Sequence, residues 1–214
     1  MVAGLETFQR KFSDYHDQYA LIGGTAAYLV LDQAGLESRA TKDLDIVLCL
    51  ELLNSNFAKA FWEFIQDGGY KVQQKSTGEK RFYRFSRPAS SDYPFMLELF
   101  SRSPDNFELS ENSHLTPIPA GEDVASLSAI LLDEDYYKLI HEHKTVVNGV
   151  SLVNEVCLIP LKAYAWLDLS RRKDAGEQVD SKSIKKHESD ALRLSQLLPM
   201  NEQIAVRRKY MIIL

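Results

Sequence analysis

The chain has 214 residues, 45% of them hydrophobic and 26% charged, with seven prolines. That composition supplies a core for one domain, or for a core with a small appendage, and excludes a disordered or collagen-like chain. The formal net charge of −5 excludes a protein coated in positive charge, but the segment from Arg171 onward carries 10 Lys+Arg against 6 Asp+Glu, about +4, which leaves about −9 before it.

In chain order, the pattern predicts a helix near 4 to 16, a helix over 24 to 34 ended by Gly35, a strand over 43 to 50, and a helix over 54 to 67 ended by Gly68 and Gly69. KRFYRFSR (80 to 87) and PFMLELFSR (94 to 102) flank a Pro/Ser/Asp-rich connection and read as a hairpin with a long loop. Beyond Pro119, LSAILL is an apolar run of either kind, and residues 160 to 170 and 184 to 198 read as helices, with Pro160 suited to a first turn. The expected fold class is α+β: a mixed sheet in a core over residues 1 to 120, followed by a mainly helical part over 121 to 214 that completes the cleft. No apolar run reaches the roughly eighteen residues of a membrane span, and the start lacks a signal-peptide segment, so a cytoplasmic protein without membrane partners is expected. Cys49 and Cys157 lie in apolar runs without metal-ligand spacing and read as buried free thiols.

The sharpest feature is LIGGTAAYLVLDQAG followed by RATKDLDIVL. Gly23 and Gly24 stand directly before a helix, where the absence of side chains permits a close backbone approach and free N–H groups attract phosphate; a tight turn into a packed helix explains the same residues. Strand alternation then places the carboxylates of Asp43 and Asp45 on one face, able to grip one hard cation such as Mg2+; the alternative is a polar strand start beside a capping Thr41. Glu98, between Leu97 and Leu99, needs a partner in so apolar a strand. A shared metal would provide one, as would solvent or Arg84. Lys162 in IPLKAYAWLDL could reach toward a triphosphate or simply snorkel. Lys186 and Asp190 share a helix face at i, i+4 and could form an ordinary exposed ion pair.

Taken in order, GGTAAYLVL, RATKDLDIVL, MLELF, PLKAYAWLDL and KKHESDALRL resemble the motifs of bacterial DNA-polymerase-beta-like nucleotidyltransferases, most closely the AbiEii-type group, over about residues 20 to 198. The resemblance implies that Gly23, Gly24 and Thr25 hold nucleotide phosphates. It further implies that Asp43, Asp45 and Glu98 bind two Mg2+ ions, that Lys162 contacts the triphosphate, and that Lys186 and Asp190 form a C-terminal nucleotide-binding motif. Two features depart from the family: an eighteen-residue spacer between Gly24 and Asp43, and His187 where an acid is common.

The implied activity is Mg-dependent transfer of NMP from an NTP to an acceptor hydroxyl, catalysed by Asp43, Asp45, Glu98 and Lys162. The resemblance to toxin-like relatives points to tRNA or another RNA as the acceptor and to an antitoxin protein as a partner. The basic runs RRK (171 to 173), KSIKK (182 to 186) and RRK (207 to 209), with Tyr164, Trp166 and Tyr210, suit RNA and equally suit solvated helix faces. A small cationic acceptor of antibiotic type is the second reading, favoured by the acidic first part. The third is a nucleotide- or protein-binding module that kept the fold without turnover.

Overall fold

The computed structural model describes residues 2–74, 80–105, 115–118 and 127–199. The runs at 207–209 and Tyr210 lie outside them. The described elements are α1 (Leu5–Phe12), β1 (Tyr19–Ile22), α2 (Gly23–Gln33), β2 (Asp43–Leu48), α3 (Ser55–Asp67), β3 (Lys71–Gln74), β4 (Lys80–Ser86), β5 (Met96–Ser101), β6 (Leu115–Ile118), β7 (Leu127–Leu131), α4 (Glu134–Glu142), β8 (Lys144–Val147), β9 (Val150–Val153), α5 (Glu155–Asp174) and α6 (Ser181–Ser195). The fold is mixed α and β. Its sheet runs β3-β4-β5-β2-β1-β9-β8, with β7 joining β5 and β6 joining β7. β1 is antiparallel to β2, whereas β2 with β5, and β1 with β9, run parallel.

The period of two along β2 sorts its side chains: Leu44, Ile46 and Leu48 are fully buried in the core, and Asp43 and Asp45 turn to the opposite face. The core face is aromatic. Phe8 and Phe12 of α1 and Phe57, Phe61 and Phe64 of α3 pack around Tyr19 of β1, with Phe8 and Tyr19 edge to face at 5.4 Å. Phe85 of β4 joins them through Phe61 and Trp62. α2, α5 and α6, which pack on one another, cover the face that carries the two aspartates.

Several boundaries differ from the sequence-based expectation for identifiable reasons. The first helix gives way at Ser13 to a short 3-10 turn, Ser13–Tyr15. Asn54 accepts from the N–H of Phe57 and starts α3 one residue later than expected. Pro160 is inside α5, because Asn154 caps that helix by accepting from Cys157 N–H, six residues earlier than the proline. LSAILL resolves as strand β7. The β8–β9 hairpin was not anticipated, although Asn148-Gly149 between KTVV and VSLV is its signal: both residues have positive φ, 49° and 71°, as a two-residue hairpin turn requires. Residues after 120 thus add strands to the sheet as well as helices. Among the described residues no helix is long and apolar enough to cross a membrane.

Candidate active site

The site begins where β1 enters α2. Ile22, extended, precedes the helix and provides no side-chain cap, so its side chain satisfies none of the first-turn N–H groups. Gly23 has φ 71°, and a Cβ there would stand 1.9 Å from Asp45 Oδ2. Glycine is required at this position because the Asp45 carboxylate lies against its Cα. At Gly24 a Cβ would be 2.9 Å from Arg39 Nη2 and 3.0 Å from Thr41 Oγ1. The close approaches at this turn are therefore made by the chain's own side chains. Thr25, expected among the nucleotide contacts, is fully buried and its hydroxyl donates to the carbonyl of Asp43 at 2.7 Å. It fastens the start of β2 to α2 and so positions the aspartates.

The acids stand on one face of the sheet. Register places Arg84, Glu98, Asp45 and Ile22 in one row across β4, β5, β2 and β1. Asp45 sits two residues along β2 from Asp43. Burial pushes the Asp45 carboxyl up to about 6, with the neighbouring Glu98 charge adding to the rise and Lys162 and Lys186 opposing it. Asp43 Oδ1 is buried without a hydrogen-bond partner among the described residues. A carboxylate oxygen sealed from water with nothing donating to it is costly, and a hard cation between Asp43 and Asp45 removes the cost and the mutual repulsion together. The aspartate pair therefore fits a divalent ion. Glu98 departs from the expectation of a third metal ligand: it lies on the correct face, but its carboxylate is paired with Arg84 of the next strand. Among the described residues, no three of His, Cys, Asp and Glu are grouped closely enough to hold an ion as they stand.

The cations come from the opposite side. Lys162 of α5 is buried, and its Nζ donates to Asp190 Oδ2 of α6 at 2.9 Å, with only 5% and 6% of the two side chains exposed. Arg39 closes the cluster through Nε to Oδ1 and Nη2 to Oδ2 of the same carboxylate, each 3.1 Å. Burial alone would raise the Asp190 pKa, yet the Arg39 hydrogen bonds and the Lys162 charge outweigh it and hold the carboxyl below its usual range. Burial lowers the Lys162 pKa against the opposing pull of Asp190. The ordinary Lys186–Asp190 ion pair that their spacing allows does not form. Asp190 turns inward to Lys162 and Arg39, and Lys186 is exposed, with its charge acting on Asp45. Sequence reasoning missed Arg39 and its role; the signal was a cation four residues ahead of the first aspartate in RATKD.

The spacer between α2 and β2 has a structural use. Leu36 and Arg39 form one wall of a cleft of about 700 Å³ whose other walls include Tyr28, Asp32 and Arg193. Arg193 Nη1 donates to the Glu37 carbonyl at 2.9 Å and ties that wall to α6. Cys49 and Cys157 are buried, free thiols, which burial pushes up to about 11 and about 12.

No family model matches the chain, and no curated protein is significantly similar to it in sequence. Among solved structures, the chain path is similar to that of an antigenic nucleotidyltransferase-like protein from Paracoccidioides brasiliensis, with 15% identity over 92% of this chain and 78% of that one and a TM-score of 0.47. It is also similar to the antibiotic-resistance factor ANT(2'')-Ia in solution, with 12% identity over 91% of this chain and 86% of that one and a TM-score of 0.39. At these values the likeness is one of chain path, and the chemistry rests on the residues described above.

Proposed function

We propose that the chain is a nucleotidyltransferase that moves NMP from an NTP to an acceptor hydroxyl. One observation carries the reading: an aspartate pair with an orphaned buried oxygen lies against an uncapped glycine turn, facing buried and exposed lysines. Such a constellation is expensive for a purely structural site, because it gathers like charges on one side and cations on the other.

Each residue then has a role. The first-turn N–H groups of Gly23 and Gly24 bind phosphate oxygens, aided by the positive end of α2. Asp43 and Asp45 would hold Mg2+, which when bound neutralises charge on the reacting phosphate and its leaving oxygen. Lys186, free to move, reaches the polyphosphate. Lys162, fixed by Asp190, supplies a stationary positive charge behind it. Glu98 keeps Asp45 poised by its charge, and Arg84 holds Glu98 in place.

For the acceptor, Arg171, Arg172 and Lys173 at the end of α5 and Lys182, Lys185 and Lys186 on α6 are all exposed. This basic hairpin end favours a polyanionic acceptor, RNA, over a cationic small molecule. Incubation of the protein with each α-labelled NTP, Mg2+ and total tRNA should place label on RNA. Label on no RNA, protein or cationic antibiotic acceptor with any NTP would leave the nucleotide-binding module as the better description.

A further inference from the structure

His187 has no place in the roles above, and its surroundings are specific. It lies three residues before Asp190 on α6, so the two share a helix face, and it follows Lys186 in the chain. Its Nδ1 is buried without a hydrogen-bond partner among the described residues, while the residue as a whole is partly exposed. With Nδ1 sealed, the imidazole meets solvent or a ligand through Nε2. The charges around it are Lys162 from α5, Lys186 and Asp190 from α6, and Arg39 from the segment before β2.

These facts determine the state of the ring. Three cations against one carboxylate oppose a further positive charge. Burial in the first place, and then Lys162 and Lys186, bring its pKa down to about 4. Protonating Nδ1 would put an N–H in a closed space with no acceptor among the described residues, whereas Nε2 can meet solvent or a ligand. The proton of the neutral ring therefore sits on Nε2, the open edge.

A neutral N–H donor beside two lysines is suited to an oxyanion. We propose that His187, held neutral in its Nε2–H tautomer, donates a hydrogen bond to a phosphate oxygen of the bound nucleotide. This assignment rests on the nucleotidyltransferase reading. It adds a contact that an acid at the same position could not make, since a carboxylate there would repel phosphate. The role is binding and orientation, with no proton transferred.

The two amide replacements separate the two ring edges. Glutamine places its NH2 near the position of Nε2, whereas asparagine places one near Nδ1. His187→Gln should keep the affinity for a non-hydrolysable Mg–NTP, and for inorganic tripolyphosphate, within about three-fold of wild type; His187→Asn should weaken both by roughly ten-fold or more. Long-range proton–nitrogen NMR of the wild type, assigned by loss of the signal in His187→Gln, should show the Nε2–H tautomer from pH 5.5 to 8 with and without tripolyphosphate, on the order of the range a free histidine would titrate through. Equal affinities for the two variants, or a ring that becomes doubly protonated on binding, would overturn the proposal while nucleotide binding itself stands. Wild type that binds neither probe overturns both this assignment and the reading beneath it.

Discussion

Gly23 and Gly24 look alike in the sequence and are constrained by different neighbours. At Gly23 a methyl group would have to displace the Asp45 carboxylate, 1.9 Å from its position, on a backbone with φ 71°. Gly23→Ala should therefore lose at least about 1 kcal/mol from the left-handed conformation alone, and more from the collision, read as a lowered melting temperature. At Gly24 the φ is ordinary, and the nearest atoms are the tips of Arg39 and Thr41. Gly24→Val should still fold, at a measurable cost in stability because the Arg39 Nη2 it displaces is bonded to Asp190, and should weaken NTP binding by disturbing Arg39 and blocking the turn. Unchanged NTP affinity in folded Gly24→Val would return the second glycine to packing alone. The thiols give a further residue-scale expectation: with both pushed up by burial, neither Cys49 nor Cys157 should react with an alkylating reagent at pH 8 until the protein unfolds.

At the scale of elements, Asp190 is the junction of α5, α6 and the segment leading into β2. Asp190→Asn leaves the Lys162 ammonium buried against a neutral amide and removes the fork that holds Arg39. Breaking one side of a buried pair costs about 3–5 kcal/mol, less whatever Lys162 recovers by giving up its proton. Denaturant titration should show that loss for Asp190→Asn, and Lys162→Met combined with Asp190→Asn should recover part of it; simple addition of the two single losses would mean the pair is not coupled. This junction also shows what the sequence could and could not disclose. Alternation in DLDIVL and in MLELF was enough to put Asp43, Asp45 and Glu98 on one face, since side-chain direction in a strand is a local property. Which partner each charge takes is decided by the distances between elements. Lys186 and Asp190 satisfy a helical spacing rule, yet Asp190 faces inward to residues 28 and 151 positions away in the chain, and Glu98 finds Arg84 before any second acid. The β8–β9 hairpin was legible from Asn148-Gly149; for Arg39 the sequence shows only a cation ahead of the aspartates, and its partner lies 151 positions away.

For the molecule as a whole, the two groups with opposite shifts in the site should nearly hide each other in the pH dependence of stability. In metal-free protein the Asp45 carboxyl is pushed up to about 6 from 3.8, so between those values the folded state holds more protons than the unfolded state and acidification stabilises it. His187 is brought down to about 4 from 6.5, so over nearly the same interval the folded state holds fewer protons and acidification destabilises it. His141, lowered chiefly by burial, adds to the histidine side, and Asp190, held low, withdraws its contribution only as the pH falls below the ordinary carboxylate range. Wild type in EDTA should consequently show a shallow decline from pH 6.5 to 4.5. Asp45→Asn removes the compensating group: it should be more stable than wild type at pH 7 by on the order of 1–3 kcal/mol, because an anion disfavoured by burial and by Glu98 is gone, and it should then lose stability more steeply on acidification, by up to about 1 kcal/mol per pH unit. His187→Gln should do the reverse, flattening the decline or turning it into a rise between pH 6 and 4.5. Adding Mg2+ with a non-hydrolysable NTP should raise the melting temperature of wild type and leave Asp45→Asn nearly unmoved, since a ligand stabilises only the state that binds it. Denaturant midpoints at several pH values, with and without the ion and nucleotide, read all of these at once. Parallel pH profiles for the three proteins would show that Asp45 and His187 ionise in the fold much as they do in the unfolded chain, and would remove the electrostatic basis for reading the aspartate pair as a cation site.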